Sequence, residues 1–166
     1  MSELKKVVVV VRNSRYDDST PSMTMYENVR VEDEQGRTVY YKKLVVPAYL
    51  KKHGAVVEGM PRTWFIKNIS KKVTVLLAYQ KPDGKVEYDL DEIKLMSRGS
   101  YVTGLKFAVA AVPASVIVAV ATYGVGLLIF PLFAYYAYRS LLTVPAMLSH
   151  KTLLQDFSKF GISIEA

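Results

Sequence analysis

From residue 107 to residue 138 the chain runs for 32 residues without one charged side chain. No other feature restricts the fold as much, because a chain of 166 residues has too little mass to enclose two helices that are apolar all round. As one straight helix the run would measure about 48 Å, well beyond a hydrocarbon core of about 30 Å. A break at Thr122-Tyr123-Gly124-Val125-Gly126 resolves the mismatch, since two glycines in three residues weaken a helix and permit a turn. The halves, 102–121 and 125–142, are each near the length needed to span, so the sequence predicts a two-helix transmembrane hairpin. Lys106 and Arg139 then flank it on one side, with Tyr101, Tyr135, Tyr136 and Tyr138 at the near interface and Tyr123 at the far one. Both halves hold a proline, Pro113 and Pro131, which membrane helices tolerate. The competing readings are a hairpin buried in a soluble protein and a re-entrant hairpin that leaves by the leaflet it entered.

Charge divides the chain in the same place. Residues 1–106 carry 19 Lys/Arg and 13 Asp/Glu, whereas residues 107–166 carry 3 and 2. With 51% hydrophobic and 22% charged residues, the composition excludes a disordered or low-complexity chain. The absence of cysteine excludes a disulfide scaffold, a thiolate-bound metal and a cysteine nucleophile. The basic N-terminus followed by Val7-Val8-Val9-Val10-Val11 resembles a signal peptide only superficially. Its apolar run stops at Arg12 and no small-residue cleavage site follows, so the expectation is a cytoplasmic first domain.

From residue 6 to residue 93 the hydrophobic period is two. Strands are expected at residues 7–11, 28–32, 38–46, 63–66, 73–79 and 85–90, with an irregular loop over 13–23. Turns are expected at Glu34-Gln35-Gly36 and at Lys81-Pro82-Asp83-Gly84, where proline presets φ and glycine accepts a positive one. Residues 1–98 thus read as a small all-β, barrel-like domain of OB or SH3-like type, with one helical turn at 49–54. Residues 99–145 form the hairpin. Residues 146–166 supply a short amphipathic helix, opened by a capping box at Thr152 and Gln155 and closed by Gly161, and a strand at 162–164 returning to the β domain.

Little here can carry chemistry. His53 and His150 lack partners at metal-ligand spacing, and no phosphate-binding glycine loop or nucleophile elbow is present. The acidic run Asp89-Leu90-Asp91-Glu92 lacks the spacing of a calcium loop. No catalytic residue, metal or cofactor is therefore expected. The lysines come in pairs, Lys5-Lys6, Lys42-Lys43, Lys51-Lys52 and Lys71-Lys72. Alternation would turn one lysine of a mid-strand pair inward, so the pairs are expected at loops and edges, where they guard against strand pairing. Lys42, Lys43, Lys51, Lys52, Lys71 and Lys72 are also candidates for contact with an anionic membrane surface. Trp64, Tyr40 and Tyr41 could stack bases, but no interleaved basic-aromatic signature accompanies them, which speaks against nucleic acid. Ala108, Ala111, Ser115 and Ala119 form a stripe of small residues suited to helix packing.

The expected function is a non-enzymatic, membrane-anchored subunit or adaptor of a bacterial inner-membrane assembly, with both termini cytoplasmic. Its expected partners are the bilayer, other subunits of a membrane complex or copies of itself. One alternative is a membrane-perturbing effector, a toxin or phage-defence protein whose β domain senses. Another is a membrane-tethered nucleic-acid-binding module.

Overall fold

A computed structural model describes residues 3–121 and 130–162. Its contacts divide the chain into two units, residues 1–95 with 150–166 and residues 96–149. The first unit is built on six strands: β1 (Lys5–Ser19), β2 (Met23–Asp33), β3 (Thr38–Pro47), β4 (Pro61–Asn68), β5 (Val73–Gln80) and β6 (Val86–Tyr88). Five of them close a barrel in the order β1-β2-β3-β5-β4, β4 returning to β1. All neighbours are antiparallel except β3 and β5, which pair in parallel over Lys43, Leu44 and Val45 against Val73, Thr74 and Val75. Parallel neighbours cannot share a tight turn, and β3 reaches β5 through helix α1 (Ala48–Lys52) and β4. β6 pairs with the far half of β5, beyond the reach of β3.

Alternation builds the interior. Val9, Val11, Val29, Val31, Leu44, Val46 and Ile66 point inward around Trp64, which is wholly buried. The indole Nε1–H of Trp64 donates to the carbonyl of Ala55 at 2.8 Å, so its one polar group is satisfied. β4 and β5 are buried on both faces because their outer side is covered too. Helix α5 (His150–Ser158) lays Phe157 against Phe65 and Tyr88, with ring centroids 6.5 and 6.1 Å apart, and Phe160 lies 5.8 Å from Phe65.

Two differences from the sequence reading have local causes. β1 continues through the segment expected to be irregular, as far as Ser19, absorbing the breaks in alternation as register shifts after Val11, Asn13 and Tyr16. The turn is thereby reduced to residues 20–22, closed by Thr20 N–H donating to the carbonyl of Met23 at 2.8 Å. α5 also starts two residues before Thr152, which lies inside the helix rather than at its cap. Of the expected strand at 162–164, Ile162 has no regular structure, and Ser163 and Ile164 lie outside the described residues.

The second unit contains most of α2 (Leu90–Ala121), then α3 (Phe130–Tyr138), a π-helical segment (Arg139–Thr143) and α4 (Val144–Met147). α2 is long and apolar enough to cross a membrane, and it is the one such helix among the described residues. It packs against the π-helical segment. Ser100 Oγ donates to the carbonyl of Ser140 at 3.2 Å, and Gly104 brings the two backbones close. The expected glycine turn, with Tyr123, lies outside the described residues.

Candidate functional site

Ionisable groups around α1 form a polar cluster. The buried carboxylate of Glu87 on β6 accepts from Tyr49 Oη at 2.9 Å, Lys81 Nζ at 2.9 Å and Lys85 Nζ at 3.2 Å. The hydrogen bond from Lys81, then those from Tyr49 and Lys85, hold its pKa down to about 2 against the opposing effect of burial. Glu92 Oε2 accepts the main-chain N–H of Tyr49 at 2.8 Å, tying α1 to the first turn of α2. Asp89 caps that turn by accepting from Glu92 N–H at 2.9 Å, so two members of the acidic run serve the helix end. A carboxylate this firmly ionised and triply donated to holds structure and is poorly suited to accept or release protons near neutral pH. His53 packs on Tyr49 with ring centroids 4.0 Å apart and planes tilted by 32°, and His150 opens α5 in solvent. No group of three metal-ligating side chains occurs among the described residues.

Folding gathers the lysines unevenly. Lys43 N–H donates to the carbonyl of Lys72 at 3.1 Å, so Lys42-Lys43 and Lys71-Lys72, nearly thirty residues apart in sequence, meet at the parallel seam of β3 and β5. Lys42-Lys43 sits in mid-strand, where alternation should bury one of the two. It escapes because Asn28, opposite Lys42, adopts φ 51°, and the inward residues on either side, Tyr41 and Leu44, are three apart. Lys43 pairs with Glu27 at 3.1 Å, while Lys42, Lys71 and Lys72 extend into solvent. Lys51 and Lys52 are exposed on α1. Lys51 reaches Thr24 Oγ1 at 3.3 Å and lies 5.1 Å from the centre of the Tyr16 ring. Of the three aromatics expected on a strand face, only Tyr40 is there. Trp64 is core, and Tyr41 leans inward with its ring centroid 6.3 Å from that of Trp64.

On α2 the alanines of the expected stripe are more covered than the large apolar residues around them. Ala111 is buried and Ala108 and Ala119 partly so, whereas Val109, Ile117 and Val120 are 68, 68 and 78% exposed. The side chain of Ser115 lies outside the described residues. Gly104 belongs to the same stripe, four residues before Ala108, a spacing legible in the sequence but missed there. A Cβ at Gly104 would lie 2.8 Å from Ser140 Cβ and 2.9 Å from the Leu141 nitrogen. Of the expected flanking residues, Tyr101 and Lys106 lie on α2, Tyr138 ends α3 and Arg139 opens the π-helical segment. Tyr101 and Tyr138 are 50 and 60% exposed. No family model matches the chain, and neither does any curated protein or solved structure.

Proposed function

We propose that the protein is a non-enzymatic, membrane-anchored adaptor, held in a bacterial inner membrane by a helical hairpin with both termini in the cytoplasm. One observation carries this reading. In an apolar 18-residue window of α2 only 12% of the residues are buried, and the large exposed side chains along the helix include Leu105, Phe107, Val109, Val116, Ile117 and Val120. Water penalises such a surface by about 25 cal/mol for each Å² left exposed, while a bilayer removes that penalty. Small residues inside and bulky apolar residues outside is how helices are distributed in lipid, where backbones approach closely through the small ones. The barrel then serves as the soluble binding module. Its strand order, with α1 between β3 and β4 and a parallel β3–β5 closure, favours the OB type over the SH3-like one.

Single cysteines at Ser2, Tyr123 and Ala166 of this cysteine-free chain test the placement. An impermeant thiol reagent applied to intact cells should label only Tyr123→Cys, and alkaline carbonate should leave the chain in the membrane pellet. Labelling at position 2 or 166, or release by carbonate, would overturn the reading.

A further inference from the structure

We propose that the outer face of β2 and β3, together with the β4–β5 turn, binds single-stranded nucleic acid. The inference goes beyond membrane anchoring and stands on the barrel alone. Arg30 on β2 is directly opposite Tyr40 on β3, and Lys42 follows two residues along on the same strand. The turn brings Lys71 and Lys72 beside them through the main-chain bond from Lys43 to Lys72. Arg30, Lys42, Lys71 and Lys72 are exposed and carry no ion pair among the described residues. The neighbouring carboxylates are already neutralised: Glu27 by Lys43 at 3.1 Å, Glu32 by Arg12 and Asp33 by Arg37, both at 2.8 Å. A surplus of positive charge is left across three adjacent strands, a width of about 10 Å.

Tyr40 stands within this surplus with 66% of its surface exposed. An aromatic ring displayed on a sheet among cations offers a base a stacking partner while the cations take the phosphates, a pairing indifferent to sequence. A lipid headgroup would use the lysines but has no flat ring to place on the tyrosine. Oligonucleotides occupy this same face, beside the β1–β2 and β4–β5 turns, in OB-type barrels, an analogy of fold that adds weight without carrying the argument. The cations are scattered from residue 30 to residue 72, which is why no signature of this surface exists in the sequence.

The test uses the full chain in zwitterionic micelles and a fluorescent oligothymidylate, with anisotropy followed against salt. Binding should weaken with salt, and Lys42→Gln and Lys72→Gln should each lower the slope of log K against log salt by about 0.7, one phosphate's worth on a single strand. Tyr40→Ala should weaken binding about tenfold and Tyr40→Phe should restore it. Lys5→Gln, at the β1–β4 seam, should change neither quantity. Absence of salt-dependent binding by the wild type would overturn the proposal, as would an unchanged slope in both lysine variants. Capture of the chain by phosphatidylserine vesicles through Lys42 and Lys72, without oligonucleotide binding, would also overturn it and assign the face to the bilayer.

Discussion

Glu87 shows how a single residue ties pH to stability. Its carboxyl titrates near 2 in the folded chain, because Lys81, Tyr49 and Lys85 all donate to it, against about 4.3 for an unstructured glutamate. A lowered folded-state pKa means that the stabilisation is complete above the unfolded value and disappears as pH falls from about 4.3 toward 2. Glu87→Gln should therefore be less stable than wild type at pH 6, with the difference closing below about pH 3, as urea melts across that range would show. Lys67 makes the complementary case. It is 2% exposed on β4, and its ammonium is held by Asp156 of α5 at 2.7 Å, with Asp156 also 3.6 Å from Lys159. Asp156→Ala removes the counter-charge of a buried ammonium and should cost about 3 kcal/mol, whereas Lys67→Met combined with Asp156→Leu should recover most of that loss. Neither pair could be read from the sequence. Lys67 and Asp156 are 89 residues apart, and a lysine flanked by Ile66 and Asn68 resembles any solvent-facing position of an alternating strand until a helix is laid over it.

At the scale of elements, alternation flanked by turn residues was enough to locate strands, and insufficient to bound them where a bulge shifted the pattern. β3 and β5 begin where alternation and turn residues place them, at Thr38 and Val73. β1 outruns its expected end because bulges shift the pattern without ending the pairing, and no residue type announces a bulge in a run such as Arg12-Asn13-Ser14-Arg15-Tyr16. α2 begins at Leu90, twelve residues before the expected hairpin half, because Asp89 caps it and nothing between them breaks a helix. Spacing outlines a small-residue stripe on α2 that extends to Gly104, four residues before Ala108, and the neighbouring backbone shows what Gly104 faces. Two glycines of α2 give a matched test. Gly104→Ala puts a methyl group against Ser140 and the Leu141 nitrogen and should destabilise the helix pair by about 1–3 kcal/mol. Gly99→Ala meets nothing within 4 Å and should stabilise α2 by up to about 1 kcal/mol through helix propensity. Thermal melts in one detergent would separate them, and equal behaviour would remove the close packing at Gly104.

At the scale of the whole molecule, the order of the chain and the grouping of its contacts disagree, and that disagreement can be tested. The barrel is formed by residues 1–95, yet its contacts include residues 150–166 and pass over the 54 residues between. What the C-terminal segment brings is specific. Leu153 and Phe157 are buried, Phe157 closes over Phe65 and Tyr88, and Asp156 supplies the counter-charge to Lys67. A barrel cut off after Leu95 leaves that apolar face wet and takes Asp156 away from that ammonium, two penalties of several kcal/mol together against a typical domain stability of about 5–15 kcal/mol. Replacing residues 96–149 by a flexible Gly/Ser linker should restore both interactions and remove the long apolar surface. The spliced chain should therefore be soluble without detergent, show a β-type far-UV spectrum and melt cooperatively. Residues 1–95 alone should melt at a lower temperature or aggregate, and Phe157→Ala in the spliced chain should remove about 3–5 kcal/mol. Equal stability of the fragment and the spliced chain would mean that α5 rests on the barrel without holding it, and residues 96–149 would then join a complete domain to an appendage rather than interrupt a single domain.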